Sequence, residues 1–271
     1  MAAPPCDSEP FGRLRRARRV WAIAALRGEA QRLAALHEIL ARRFHAGDRL
    51  VYLGDYLGFG ADGAGAVDAI LAFRRAVLAE PFAFLGDIVA LRGSQEEMWH
   101  KLQELQFAPN PREVLEFLLG NGVAETLASY GIDPRAGLAA TREGVMAMTR
   151  WTASIRAAVA QRPGHREFFA SLRRAAFTEE GSLLFVNAGI DPQKPIELQR
   201  DVFWWGGGTD LLALEAPFGG FRRVVCGTHR RRAGIVETAF AVALDGGAGQ
   251  GGALYAACFA PDGRLLDRIE A

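Results

Sequence analysis

The sequence predicts an α/β fold, and three features carry the prediction. Short apolar runs alternate with helix-periodic segments through the first 95 residues, a mostly helical stretch fills the middle, and Val/Phe-rich runs resume towards the carboxyl end. Half of the 271 residues are apolar, which suffices for one large core with a substantial helical appendage. No stretch approaches the roughly 18 uninterrupted apolar residues of a membrane span, so a soluble protein is expected.

The amino end, MAAPPCDSEPFGRLRRARR, sets a basic run behind an acidic, proline-containing start and lacks the apolar core of a secretory signal. Residues 1–18 are expected to form a flexible basic segment, and 19–271 a single domain with a helical cap over about 96–180. The domain opens on RVWAIAAL, a strand candidate, followed by EAQRLAALHEILARRF with Leu33, Leu36, Leu40 and Phe44 at helical spacing. DRLVYLG is the next strand. Behind it, GAVDAILAFRRAVLAE is a helix whose Val67, Ile70, Leu71 and Leu78 can cover a sheet. FAFLGDIVALRG holds one or two short strands. The endings AALRG, GDYLGFG and LRGSQEE therefore fall on one edge, where open α/β sheets hold ligands.

From Glu96 to about Arg174 the pattern is helical, punctuated by Gly, Pro and Asn turns. GSLLFVNAGI and FRRVVCGTHRR then place small and polar residues after strand-like runs. GIVETAFAVAL and GALYAACFAPDGRLLDRIE read as alternating strands with a turn at Asp262 and Gly263. The tract DGGAGQGG at 245–252 lacks phosphate-loop spacing and reads as a structural loop. Cys6, Cys226 and Cys258 are odd in number and have no metal-like or redox-like spacing, which predicts reduced thiols and a cytoplasmic protein.

Taken in order, RVWAIAALRG, GDRLVYLGDYLGFG, LRGSQEEM, LLFVNAGI and VVCGTHR resemble the five signature blocks of the serine/threonine protein phosphatase and diadenosine-tetraphosphatase branch of the calcineurin-like metallophosphoesterases. The resemblance spans roughly Arg19 to Arg230. It implies a four-layer αββα sandwich, two mixed sheets face to face with helices outside, and a two-metal centre on loops at the strand ends.

The same resemblance implies that this chain has lost the centre's ligands. A metal-binding aspartate falls on Ala25 and a histidine on Arg27, while the bridging aspartate is kept as Asp55. Gly58 replaces a second aspartate, and Phe59 a phosphate-contacting arginine. Ser94 stands for the metal-binding asparagine and Gln95 for the proton-donating histidine; Asn187 and Thr228 stand for two further histidine ligands. Alanine has no lone pair, arginine does not deprotonate near neutral pH, and glutamine cannot shuttle a proton as imidazole does. Two-metal phosphoryl chemistry needs both ions held together, and Asp55 alone cannot hold them. No cofactor is expected. Arg27 is expected to fill the vacated space and pair with Asp55, because buried carboxylates demand a partner.

A pseudophosphatase that binds another protein is the favoured reading. His37, His45, His100 and His165 read as structural or surface histidines; His229 is the better site candidate. Phe203, Trp204 and Trp205 in DVFWWGGG, read as a strand, put rings on opposite faces and leave one for a partner, with His229 and Arg230 nearby. One rival is an altered hydrolase recruiting His229, Glu96, Glu97 or Asp87. Another is nucleic-acid or anion binding through Arg13, Arg15, Arg16, Arg18 and Arg19, or Arg222, Arg223 and Arg230 to Arg232, although a formal net charge of +1 argues against a generally basic surface.

Overall fold

The computed structural model describes residues 10–208 and 210–271. In chain order the elements are β1 (Phe11–Leu14), β2 (Arg19–Ile23), α1 (Ala30–Ala41), β3 (Asp48–Tyr52), α2 (Gly63–Leu78) and β4 (Ile88–Ala90). Then come α3 (Ser94–Gln103), α4 (Pro111–Leu118), α5 (Ala124–Ser129), α6 (Pro134–Glu143), α7 (Val145–Ala160) and α8 (His165–Ala170). The chain finishes with β5 (Ala175–Thr178), β6 (Leu183–Val186), α9 (Val202–Trp205), β7 (Arg223–Cys226), β8 (Val236–Glu237), β9 (Ala241–Ala243), β10 (Tyr255–Phe259) and β11 (Leu265–Glu270).

The strands form two mixed sheets, ordered β11-β10-β2-β3-β4 and β1-β5-β6-β7-β9-β8. In the first, β2, β3 and β4 run parallel, with Trp21 opposite Leu50 and Leu50 opposite Ile88. In the second, β6, β7 and β9 run parallel, with Phe185 opposite Val225 and Val225 opposite Val242. Two-residue periodicity decides which core each side chain joins. Leu183, Phe185, Val225 and Val242 face the first sheet and belong to the main core with Trp21, Ile23 and Phe259. Leu184, Val186, Val224, Cys226 and Ala243 turn outward into a second core, closed by Phe203, Trp204, Leu211 and Phe218. Helices α1 and α2 join the main core through Leu33, Leu36, Leu40, Val67 and Ile70, the helical periodicity read from the sequence. The layers are thus helix, sheet, sheet and a thin helical cover.

Helices α3 to α8 form the inserted lobe. It is pinned to α2 by a chain through buried His165: Tyr130 Oη is 2.7 Å from His165 Nδ1, and His165 Nε2 is 2.9 Å from Asp68 Oδ1. Arg162 donates to the other Asp68 oxygen at 2.6 Å. His165 is therefore structural, as is His37, stacked on Phe73 at 4.2 Å and hydrogen-bonded to Tyr52 Oη at 2.8 Å.

Two local expectations are corrected. Of the expected flexible segment 1–18, residues 1–9 lie outside the described residues; Phe11–Leu14, however, form an edge strand parallel to β5. Short sequence runs with one basic residue per turn of the pleat carry too little apolar signal to be read as an edge. The Phe203, Trp204 and Trp205 run is helical rather than extended, ended by Gly206 at φ 74°, so two consecutive rings turn inward and one outward. Cys226 and Cys258 are buried free thiols, and Cys6 lies outside the described residues. Among the described residues, no helix is long and apolar enough to cross a membrane.

Candidate functional site

The carboxyl ends of β2, β3 and β4 meet those of β6, β7 and β9 at one edge of the sandwich. There the two sheets are stitched together. The Ala25 N–H donates to Gly227 O at 3.1 Å, and Asn187 Nδ2 donates to Leu53 O at 2.7 Å. Gly227 permits the approach, since a Cβ there would lie 2.4 Å from Leu53 Cβ.

Asp55 leaves β3 in the left-handed region, φ 52°, and its carbonyl accepts from the N–H groups of Leu26 (3.0 Å) and Arg27 (2.7 Å). This strained turn is held by Glu96, which is buried beneath it. Glu96 Oε2 accepts from the N–H groups of Asp55 and Gly93, both at 2.9 Å. Its Oε1 accepts from Tyr56 at 2.8 Å and Leu57 at 3.3 Å. One carboxylate thereby fixes the loops after β3 and β4. Burial, and next the Asp55 charge, push the Glu96 carboxyl up to about 7 against the pull of those N–H donors.

Both oxygens of the Asp55 carboxylate are themselves hydrogen-bonded. Oδ1 accepts from Ser94 Oγ and the Gln95 N–H, each at 3.0 Å, and Oδ2 accepts from Thr228 Oγ1 at 2.7 Å. Gly93 has no side chain because none fits: a Cβ would stand 2.3 Å from Asp55 Oδ1.

Arg27 is buried beside this group, 4% exposed, but its partner is Asp245. The guanidinium donates to both Asp245 oxygens, at 2.9 and 2.7 Å, and more weakly to Ala248 O at 3.4 Å. Asp245 also accepts from the N–H groups of His229 and Gly247, both at 2.9 Å. The expected Arg27–Asp55 pair is thus corrected. Asp245 offers two oxygens to the planar fork, whereas Asp55 has already been met by hydroxyl and amide donors. Arg27 reaches Asp55 only through Thr228, whose hydroxyl lies 3.5 Å from the guanidinium and donates to Asp55. Burial opposes the charge of Arg27, but the Asp245 hydrogen bonds and then the Asp55 field outweigh it and raise its pKa. Burial likewise opposes ionisation of Asp245, and the Arg27 hydrogen bonds reverse that and lower its pKa.

The remaining predicted positions lie around this centre. Ala25 contributes no polar side-chain atom. Gly58, at φ 119°, leaves room for Gln95, whose side chain a Cβ there would meet at 2.9 Å. Phe59 is half-buried on the same loop. Gln95 donates to Asn121 O at 3.0 Å, and its Oε1 is buried without a partner, as is Asn187 Oδ1. Two amide oxygens, and the carboxylates of Asp55, Glu96 and Asp245 already engaged by hydroxyl, N–H and guanidinium donors, do not suit a pair of divalent cations. Among the described residues, no group of three or more His, Cys, Asp or Glu side chains could hold a metal ion.

His229 is turned away from Asp55. Its Nε2 is 3.0 Å from Asp210 Oδ1, while Arg230 and Arg231 reach Asp210 Oδ2 at 2.9 and 3.2 Å. With His229 buried, the Asp210 carboxyl is lowered to about 2, chiefly by the His229 hydrogen bond. Glu97 pairs with Arg92 at 3.2 Å and Asp87 with Arg49 at 3.2 Å, so of the residues that an altered hydrolase would recruit only Glu96 lies against Asp55, and there it accepts backbone N–H groups. Asp245 was missed by sequence reasoning. Its signal was present: an aspartate ending the apolar run TAFAVALD, like Asp55 at the end of LVYLGD.

No family model and no curated protein matches the chain. Solved structures do share its architecture. It is similar to a candidate diadenosine tetraphosphatase at 18% identity, with 96% of this chain and 97% of that one aligned at a TM-score of 0.56. A protein serine/threonine phosphatase from Saccharomyces cerevisiae aligns over 97% of this chain and 82% of its own, at 13% identity and a TM-score of 0.51. A mutant cold-active protein tyrosine phosphatase aligns over 94% and 81%, at 11% identity and a TM-score of 0.52. The fold is accordingly a mixed α/β sandwich of the calcineurin-like metallophosphoesterase type, without an obvious metal-binding cluster among the described residues.

Proposed function

We propose that the chain is a pseudophosphatase, a metallophosphoesterase-type fold that binds another protein and does not turn over phosphate esters. The observation that carries this reading is the Arg27–Asp245 pair beside an Asp55 whose two oxygens are hydrogen-bonded by Ser94, Gln95 and Thr228. A fixed cation stands where two-metal chemistry needs exchangeable ones, and among the described residues no imidazole faces the centre to protonate a leaving group.

The binding face we assign to this function is the outward ring of α9. Phe203 and Trp204 are buried, but Trp205 is 43% exposed and has the Lys101 ammonium 5.6 Å from its ring centroid. Gly206, which follows Trp205, packs on Gly189 in the loop after β6. An exposed indole flanked by a cation is the type of anchor that dominates protein interfaces. Arg230 is also exposed, and buried His229 serves to orient Asp210 instead of meeting a partner.

Purified protein supplied with manganese, iron or zinc should not hydrolyse a phosphomonoester, a phosphopeptide or a dinucleoside polyphosphate above background. A partner retained at high salt should be lost on Trp205→Ala with the fold intact. Metal-stimulated turnover that disappears in Asp55→Asn would instead establish an altered hydrolase.

A further inference from the structure

The arginine run read near the amino end separates from the one near the carboxyl end once folded. In the latter, Arg223 pairs with Glu237, Arg230 and Arg231 share Asp210, and Arg222 donates to Asp262 O. The former opens into a cavity of about 820 Å³ where the edge strands of the two sheets meet, β1 against β4, with Gly12 packed on Val89. Arg13, Arg15, Arg16, Arg49, Arg74 and Arg173 line it, and among the described residues the carboxylates in its lining are Asp87 and Glu179. Those six come from four separate parts of the chain, which the sequence did not show together.

Their roles differ. Arg49 is committed: it pairs with Asp87 at 3.2 Å and donates to Arg15 O at 3.0 and 2.8 Å, pinning the turn that carries Arg15 and Arg16. Arg16 occupies that turn at φ 48°. Among the described residues, the guanidinium groups of Arg15, Arg16 and Arg74 make no hydrogen bond or ion pair, and that of Arg74 is half-buried in the wall. Tyr52, Ile70 and Val89 give an apolar floor. Phe84 and Leu85, each 66% exposed, stand at the rim.

A cavity to which Arg15, Arg16 and Arg74 bring three planar cations without partners among the described residues is chemically suited to a ligand carrying clustered phosphates, since each guanidinium can engage phosphate oxygens in pairs. Its volume falls in the range of small-molecule sites, roughly 300 to 1,000 Å³. We propose that this cavity, lined by none of the residues that surround the Asp55 carboxylate and independent of the inactivity of the strand-end site, binds a polyphosphorylated group, either a soluble polyphosphate or the headgroup of a phosphorylated lipid.

The test uses the full chain and two probes, inorganic triphosphate by calorimetry and phosphatidylcholine vesicles with or without phosphatidylinositol bisphosphate by flotation. Triphosphate binding without flotation would identify a soluble ligand. Flotation that requires the phosphorylated lipid and is competed by triphosphate would identify a headgroup. In either case Arg74→Ala and Arg16→Ala should each weaken binding about tenfold or more, as expected for lost charge-assisted hydrogen bonds. Arg231→Ala, outside the cavity, should leave it unchanged. Thermal unfolding of the Arg74→Ala and Arg16→Ala variants should match the parent, because neither guanidinium holds a described partner. Failure to bind both probes, or binding insensitive to Arg74 and Arg16, would overturn the proposal.

Discussion

At the residue scale, the strand-end site turns on how three buried charges are matched. Removing Arg27 leaves Asp245 uncompensated, so Arg27→Ala should destabilise the fold by about 3 to 5 kcal/mol. Equilibrium unfolding of a double-mutant cycle should show strong coupling of Arg27 to Asp245 and weaker coupling to Asp55, which it meets only through Thr228. Equal coupling to both carboxylates would contradict the assignment. A second charge prediction concerns His37. Burial lowers its pKa from 6.5 to about 4, so it stays neutral in the fold while the unfolded chain takes up a proton. Its contribution is present above pH 6.5 and is lost as pH falls towards 4, roughly 3 kcal/mol in all. His37→Gln can keep a hydrogen bond to Tyr52 but does not titrate, and its stability should fall less steeply over the same range.

At the scale of elements, the site is a meeting of loops held by groups that are not themselves reactive. The glycine tract after β9 folds over Arg27: Gly249 has φ 78°, and a Cβ there would lie 2.5 Å from Arg27 O. Gly249→Ala should therefore destabilise by about 1 to 3 kcal/mol, measured by denaturant unfolding. Strands and helices of the domain were legible because their burial follows simple periods, as in Leu33, Leu36 and Leu40 on α1 and the alternation of Leu183 to Val186 on β6. The helical state of Phe203 to Trp205 was not legible, since four residues are too few to show a period and the closing glycine signals only a turn. Asp55 could be placed from its own strand end. Its partners could not, because pairing of Arg27 with Asp245 joins residues 218 positions apart and depends on how the two sheets meet.

At the scale of the molecule, two sheets bring six strand ends to one edge, an arrangement suited to holding metals, and the side chains delivered there instead satisfy one another. The sandwich shares its architecture with solved structures at 11 to 18% identity, while its strand-end chemistry is that of a buried polar network. The central claim is that a guanidinium and its carboxylate stand in place of the metal centre. Metal content decides it most directly: the protein is equilibrated with manganese, desalted and assayed by mass spectrometry beside Asp55→Asn. The account predicts no stoichiometric metal in either protein; two equivalents in the parent, lost in Asp55→Asn, would contradict it.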